Sequence, residues 1–240
     1  MHTYDKYLII CSIFIIYIII MDFYNKYLKY KTKYNSTKSN GSFIKNLIWR
    51  RAEKHFSPGP VDISPIKSAI LNAPTSYGIQ PFHVIAITDS KIKTSLKEAC
   101  HNQAQIEESY CLFIFCAINN VEERINQYVN QSGYVNKKES MLKYIKNIPG
   151  SNTNTIECHK LEWAKRQAYI ALGFGMAAAM ELNVASCPME GFKPEEISKV
   201  LKLDDNLKPC VLLTVGNKND NYELEKRFRF EPNDMFTNLD

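Results

Sequence analysis

Strand-like and helix-like segments alternate along residues 46–240, which predicts a single α/β or α+β domain. Tyr110–Ala117 (YCLFIFCA) is a continuous apolar run of strand length, typical of a strand that is buried on both faces. Residues 157–182 carry small and apolar side chains at helical spacing and predict one long helix. The whole chain has 240 residues, 45% of them apolar, which is enough to bury one sizeable core.

The first helix of the domain is predicted over Val61–Ala73. Its apolar residues recur at helical spacing, and Pro65 occupies its first turn, where proline is well tolerated. Asp62 or Ser64 is its expected N-terminal cap.

The other elements follow from the same two periodicities, 3.6 residues for helices and two for strands. Ser90 is the expected cap of the second helix. In chain order we predict a strand at 84–88, a helix at 90–100, surface helices at 121–131 and 138–147, a strand at 184–188, a helix at 194–201 and a strand at 209–215.

Gly173–Ala178 (GFGMAA) has the glycine spacing of a dinucleotide-binding turn, but in the wrong context. Such a turn must follow a strand and open a helix, whereas this segment lies inside the predicted helix 157–182. We interpret the small residues as a site of close helix packing, and a symmetric partner subunit as a natural occupant of that face.

The net charge of +5 comes entirely from residues 1–45, which carry seven lysines against two acidic residues. Residues 46–240 contain 23 basic and 23 acidic side chains. A balanced body argues against a nucleic-acid-binding protein, which needs a surplus of cations to neutralise phosphates.

Residues 1–45 are predicted to be a leader separate from the fold. Tyr7–Met21 is uncharged over 15 residues, short for a spanning helix but suited to a signal sequence, so 1–22 is predicted to be a signal or anchor segment. Residues 23–45 form a basic, acid-free segment that is predicted to be disordered and transit-like. Together they resemble the two-part leaders of proteins sent through the secretory pathway to an apicoplast-like plastid. A membrane anchor with a basic linker is the alternative.

The seven cysteines do not predict a disulfide framework, because their number is odd and no CxxC spacing occurs. Cys111 and Cys116 lie in the buried strand pattern and are expected to be small core residues. Cys158 and His159 have no second ligand pair, so no metal site is predicted.

Four clusters are unusual for a plain scaffold. Two are basic and lie at opposite ends of the domain. Their arginine side chains have the planar donor geometry that matches a phosphate group, so the two clusters could converge on one anion. The other two are a loop of small and polar residues before a strand, and a Pro-Met-Glu-Gly-Phe segment after one. In chain order the clusters are Arg50–Lys54, Ala73–His83, Pro188–Phe192 and Lys226–Arg229.

In order and spacing, these clusters resemble the FMN-dependent nitroreductase family from about Leu47 to Phe236. The family's Arg-x-Ser-x-Arg/Lys-x-Phe motif is matched at 50–56 and its Pro-Ser-Ser…Gln-Pro-Trp-His loop at 74–83. Further matches are Asn102–Gln105 with Phe115–Ala117, Glu162-Trp163…Gln167, Pro188–Phe192 in full, and Arg227–Arg229.

The resemblance implies an α+β fold of three layers, with a mostly antiparallel sheet flanked by helices, in a domain-exchanged homodimer that holds FMN at the subunit interface. It implies hydride transfer from NADH or NADPH to flavin N5 and then, by a ping-pong mechanism, to a nitroaromatic, quinone or similar small acceptor. The flavin carries the chemistry, so no side chain is predicted as a catalytic acid or base. The implied cofactor-binding residues are Arg50, Ala52, Lys54, Thr75, Ser76, Gln80, Asn102, Gln105, Glu190, Gly191, Arg227 and Arg229.

Three residues depart from the family pattern. Ala52 replaces a serine and removes a hydroxyl donor from the expected phosphate site, a loss of about 1 kcal/mol. Gln105 stands where close relatives carry lysine, and Tyr77 stands where a smaller residue is usual on the substrate side. His101 is expected on the same side, or as a surface residue.

Two alternatives follow from these departures and from the leader. One is a flavin-binding carrier or sensor with reduced turnover. The other is a membrane-anchored reductive dehalogenase of the same superfamily, although the intact 188–192 segment is more similar to nitroreductases.

Overall fold

The computed structural model describes residues 43–147, 156–223 and 226–239. Asn46–Asp240 form one compact unit. Within the described residues, no helix combines the length and apolarity needed to cross a bilayer. The predicted leader, with its signal, transit and anchor alternatives, lies outside the described residues.

Helices and strands alternate along the described chain. The helices are α1 (Phe43–Trp49), α2 (Ser64–Leu71), α3 (Ser90–Leu96), α4 (Gln105–Glu108), α5 (Val121–Ser132), α6 (Lys138–Lys146), α7 (Ile156–Glu181), α8 (Pro194–Leu201) and α9 (Pro232–Met235). The strands are β1 (Phe56–Ser57), β2 (Phe82–Ile87), β3 (Cys111–Ile118), β4 (Ala185–Met189) and β5 (Leu207–Lys218). Short 3₁₀ turns occupy 76–78, 98–100 and 135–137.

The four longer strands form an antiparallel sheet in the order β2–β3–β5–β4, and β1 pairs with the end of β5. Residues 212–215 of β5 pair with β3 on one side and with β4 on the other. Strands β2 and β4 are therefore the two edges of this sheet. The predicted antiparallel α+β fold is confirmed.

Helices cover both faces of the sheet. On one face, Phe113, Phe115 and Leu213 pack with residues of α2 and α7 such as Ile70 and Ala168. On the other face, alternate strand residues, including Leu112, Ile114 and Leu212, pack with residues of α3, α4 and α8. Every residue of β3 is buried, which confirms the strand buried on both faces that its apolar run predicted.

Gly175 of α7 packs tightly against α2. A Cβ atom added there would lie 3.0 Å from Cγ1 of Ile70 and 3.5 Å from Cδ2 of Leu213. The prediction of close helix packing is confirmed at this glycine, and its neighbour is a helix of the same chain rather than a partner subunit. Gly173 instead faces open space.

Two helix starts differ from the predictions. Helix α3 is capped by Asp89 rather than Ser90, because Asp89 Oδ1 accepts a hydrogen bond of 3.0 Å from the Ile92 amide. Helix α2 has Ile63 at its N-cap position, and Asp62 Oδ1 instead accepts from the Ser64 amide. Predicted helix 90–100 ends at Leu96, and a 3₁₀ turn continues it to Cys100.

The cysteines whose side chains are described are free thiols. Burial raises the pKa of Cys111 to about 11 and that of Cys116 to about 12, so both remain protonated at neutral pH. This is the small-core role predicted for them. Among the described residues, no group of His, Cys, Asp and Glu side chains is placed to hold a metal ion.

Candidate functional site

Residues from both ends of the domain line one cavity of about 380 Å³, here called the basic pocket. Arg50 and Arg229 lie on the same pocket, although 178 residues separate them in the chain. The lining residues are Arg50, Arg51, Ala52, Lys54, Tyr222, Glu223, Lys226, Arg227 and Arg229.

Backbone contacts bring the two ends together. Ala52 forms a parallel bridge with Ser186 of edge strand β4, and the Glu53 amide donates to the Ser186 carbonyl at 3.1 Å. The Arg227 guanidinium donates to the carbonyls of Leu47 and Ile48, which ties the C-terminal segment to the end of α1. The basic pocket therefore lies along the β4 edge of the sheet.

The described lining of the basic pocket has a surplus of positive charge, because six cationic side chains share it with one carboxylate, that of Glu223. Arg50 Nη1 and Arg227 Nε are buried and have no hydrogen-bond partner within the described part of the chain. Burial lowers the pKa of Arg50, and repulsion from Arg227, Arg229 and Arg51 lowers it further. Since buried polar atoms normally have hydrogen-bond partners, these two nitrogens are suited to a bound anion.

Cations of the basic pocket also influence the pKa of the Cys187 thiol, which lies in β4. Burial raises its pKa to about 11, while the nearby Lys54 and Arg50 act in the opposite direction. Lys54 thus lies close to the strand that leads from the basic pocket to Glu190 and Gly191. From Ser186 to Glu190 the strand advances about 13 Å.

A second group of predicted site residues meets at the carboxyl end of β4. Gln103 Nε2 donates to the Gly191 carbonyl at 2.7 Å, and a Cβ atom on Gly191 would lie 4.0 Å from the His101 ring. His101 and Asn102 are exposed and have left-handed φ angles of 55° and 56°. Gln105 is buried, and its Nε2 donates to Gln103 Oε1 at 3.0 Å.

The Glu190 side chain is held by a residue that the sequence analysis missed. Tyr169 of α7 donates through its hydroxyl to Glu190 Oε1 at 2.6 Å. Burial and the bond to Glu190 raise the pKa of Tyr169, so its hydroxyl stays protonated. No pattern in a single sequence predicts this contact, because it depends on how α7 crosses the end of β4.

The third predicted group, the Pro74–Pro81 loop, lies at the opposite edge of the sheet, because it leads directly into β2. The Ser76 amide donates to Gln167 Oε1 at 2.9 Å, and the Gln80 amide donates to Thr75 Oγ1 at 3.0 Å. Tyr77 has a left-handed φ of 56°, and its ring lies 5.2 Å from that of Tyr144.

The edges β2 and β4 are three strand spacings apart, about 14 Å. One chain therefore brings together the basic pocket and the Glu190–Gly191 turn along β4, and holds the Pro74–Pro81 loop away from them.

Comparison with known proteins identifies the chain as an oxidoreductase with an α+β fold. The model of the Nitroreductase family matches residues 47–217, and the chain belongs to this family. It is 25% identical over 171 residues to an NADH dehydrogenase from Thermus thermophilus, an alignment that covers 70% of this chain and 82% of that protein. It is 28% identical over 206 residues to a protein of Staphylococcus saprophyticus provisionally named NAD(P)H nitroreductase, covering 75% and 90% of the two chains.

Solved structures share the fold. A nitroreductase family protein from Streptococcus pneumoniae aligns with a TM-score of 0.67 at 20% identity, over 82% of this chain and all of the other. A provisionally named nitroreductase from Exiguobacterium sibiricum, solved in complex with FMN, aligns with a TM-score of 0.68 at 16% identity, over 82% and 97% of the two chains. At these identities the likeness establishes the fold alone.

Proposed function

We propose that the chain binds FMN and transfers hydride from NADH or NADPH to a nitroaromatic, a quinone or a similar small acceptor. The observation that carries this proposal is the buried Nη1 of Arg50, which has no hydrogen-bond partner among the described residues, in a pocket that also holds Arg227 and Arg229. The names of the Thermus and Staphylococcus relatives and the FMN complex of the Exiguobacterium protein support it.

The residues present fit a phosphorylated flavin. Arg50 and Arg229, assisted by Arg227, would hold the phosphate, since the arginine fork matches phosphate oxygens. Ala52 lines the same pocket without offering a hydroxyl. Lys54 would lie beside the pyrimidine edge, where its charge favours the anionic reduced ring.

The carboxyl end of β4 would hold the ring system. Gly191 has no Cβ, so its backbone can approach a planar ring closely. Asn102 would use its amide as donor and acceptor toward the pyrimidine. Gln105 is turned toward Gln103 in this chain, so we assign it no direct contact with the flavin.

A homodimer completes the site in this proposal. The Pro74–Pro81 loop of the same chain is at the far edge of the sheet, so a second subunit would supply Thr75, Ser76 and Gln80, with Tyr77 of that loop on the acceptor side. His101, beside Gly191, would reach the acceptor side from the first subunit. Bound FMN would supply the hydride chemistry at its N5 atom, linking a reduced nicotinamide and the acceptor in two half-reactions, while the residues named above would hold and orient it.

Purified residues 46–240 test the proposal directly. We expect a yellow dimer that bleaches on addition of NADH or NADPH and regains its colour with a nitroaromatic or a quinone. A colourless protein that is indifferent to added FMN would refute the proposal.

A flavin carrier or sensor is the second candidate, and the same preparation separates the two. Tyr77 is bulky and exposed on a left-handed backbone, where it narrows the expected acceptor side. Bound FMN without NAD(P)H oxidation would favour the carrier.

We also propose that residues 1–45 direct the protein into the secretory pathway, toward an apicoplast-like plastid or a membrane. This rests on the uncharged Tyr7–Met21 segment and on the lysine-rich segment 23–45, which contains no acidic residue. A fluorescent protein fused behind residues 1–45 should leave the cytosol, and N-terminal sequencing of the mature protein would show whether the leader is cleaved. Cytosolic fluorescence would refute this proposal.

A further inference from the structure

Two glutamine side chains form a chain of hydrogen bonds that ends on the Glu190–Gly191 turn. Gln105 Nε2 donates to Gln103 Oε1 at 3.0 Å. Gln103 Nε2 in turn donates to the Gly191 carbonyl at 2.7 Å and to the Cys100 carbonyl at 3.0 Å. Because each amide polarises the next, such a chain is stronger than its separate bonds.

The direction of this chain is fixed by the Gly191 and Cys100 carbonyls, which can only accept hydrogen bonds and therefore face the NH₂ group of Gln103. Gln105 is only 4% exposed and begins α4, directly before the fully buried Ile106. Its amide is therefore shielded from water and needs a partner within the protein. With Gln103 Oε1 occupied by that donor, the NH₂ group of Gln103 faces the Gly191 carbonyl.

A backbone bond holds the same two segments together on the other side of the turn. The Lys193 amide donates to the Ala99 carbonyl at 2.8 Å. The space at Gly191 is also limited, since an added Cβ atom would lie 3.3 Å from Gln103 Nε2. The segment that carries Asn102 and the turn that carries Glu190 are thus joined at two points, and a shift of either one alone would break these bonds.

We propose that Gln103, oriented by Gln105, is a positioning residue that fixes the Glu190–Gly191 turn for hydride transfer. The inference rests on the proposed function, in which the carboxyl end of β4, where this turn lies, holds the flavin ring system. It assigns Gln105 a role in this chain that differs from a charged flavin contact: Gln105 acts through Gln103.

The test compares Gln103→Met, Gln105→Met and the double variant in the full chain. Methionine keeps the length of glutamine and removes its amide. Gln131→Met, on the exposed end of α5, is the matched control. The measurements are amide hydrogen exchange of the 190–193 peptide without FMN, the Kd for FMN, and the single-turnover rate of flavin reduction at saturating NADH or NADPH.

We expect both single variants to exchange faster at 190–193 and to reduce bound flavin about two- to tenfold more slowly, the range set by one neutral hydrogen bond. The Kd for FMN should change less than the rate, because the phosphate is held elsewhere. The double variant should match Gln103→Met, since Gln105 acts through Gln103.

Additive effects in the double variant, or exchange and rates equal to those of Gln131→Met, would overturn the inference and leave the proposed function standing. A wild-type protein that binds no FMN would overturn both. If only the Kd rises while the saturated rate is unchanged, the glutamines serve binding rather than positioning, and the inference is again wrong.

Discussion

The basic pocket and the Pro74–Pro81 loop lie at opposite edges of one sheet and differ in how their polar groups are used. In the basic pocket, buried nitrogens of Arg50 and Arg227 are unpaired within the described residues, and like charges face one another. In the loop, the Ser76 amide, the Gln80 amide and the Gln80 side chain all donate to acceptors of the same chain.

This difference separates a binding site from a structured loop. Buried guanidinium nitrogens without a partner destabilise the empty protein, and a bound anion would supply the missing acceptor. A loop whose polar groups are already paired holds its shape without a ligand. If both regions contact one flavin, a second subunit must place its loop beside the first subunit's basic pocket.

The outward face of α7 is suited to that second subunit. Tyr169, Ile170 and Phe174 are exposed there at helical spacing, and Gly173 between them faces open space. Apolar side chains grouped in this way on a folded surface mark a contact with another molecule.

The largest expected effect comes from Phe174→Glu. A charge at this position, 42% exposed in one chain, would be buried by an opposing subunit and would prevent assembly. We expect a folded monomer in light scattering and loss of bound FMN. Ile92→Glu is the control, because Ile92 is 41% exposed but lies on α3 at another surface.

Ile92→Glu should remain a yellow dimer. A Phe174→Glu variant that stays dimeric would show that subunits meet elsewhere. If that variant were monomeric yet still bound FMN, the two-subunit account of the Pro74–Pro81 loop would be contradicted.

The next largest effect is a loss of FMN affinity that we expect at Arg50 but much less at its neighbour Arg51. Arg50→Met should weaken FMN binding about ten- to 150-fold, the range for a hydrogen bond to a charged group, and should raise the Tm of the FMN-free protein by removing repulsion. Arg51 Nη1 instead donates to the Ile48 and Trp49 carbonyls. Arg51→Met should therefore lower the Tm and affect FMN less.

Fluorescence titration with FMN and thermal unfolding with and without FMN measure both effects. Equal losses of affinity in the two variants would contradict the assignment of the phosphate contact to Arg50 rather than to Arg51.

Much of the fold follows from short-range patterns in the sequence. The run at Tyr110–Ala117 identifies β3 because a strand covered on both faces leaves no position for polar residues. Asp89 was missed as the cap of α3 because Asp89 and Ser90 are both good caps, and only the bond to Ile92 decides between them.

Only those parts of the candidate site that lie within sequence motifs could be predicted. The meeting of Arg50 and Arg229 follows from motifs at both ends of the domain, read through the family resemblance. The inward turn of Gln105 does not, because it depends on Gln103 and on a Gly191 carbonyl 88 residues beyond Gln103 in the chain. The opposite positions of the Pro74–Pro81 loop and the basic pocket depend on strand order, which no local pattern contains.

A pH effect tests the buried carboxyl group of Glu53, which lies between Ala52 and Lys54 in the chain. Glu53 is 2% exposed with an unpaired Oε1 among the described residues, and burial raises its pKa. The folded state therefore favours the protonated carboxyl, so stability falls as pH rises from the ordinary pKa through the raised one. Glu53→Gln should raise the Tm at pH 7, by about 2–4 °C per kcal/mol regained, and should have little effect near pH 4.

Glu107 is expected to show the opposite dependence of stability on pH, because its pKa is lowered rather than raised. Hydrogen bonds from Lys97 and Thr94 lower its pKa, so its contribution is present at pH 7 and is lost as pH falls through that lowered pKa. Glu107→Gln should lower the Tm at pH 7. Parallel Tm profiles for the two variants would contradict both assignments.

The smallest effect is expected in the Pro74–Pro81 loop. Thr75→Val keeps the shape of the side chain and removes the acceptor of the Gln80 amide, so the free energy of unfolding should fall by about 1 kcal/mol. Because the Thr75 oxygen accepts from the Gln80 amide, we expect Thr75 to serve the flavin site through its backbone, so the Kd for FMN should change by no more than about twofold. Thr75→Ser should restore stability. This is the reverse of Arg50→Met, which changes binding more than folding. A larger loss of FMN affinity in Thr75→Val would place the hydroxyl itself against the flavin and would make the loop part of the binding site through its side chains.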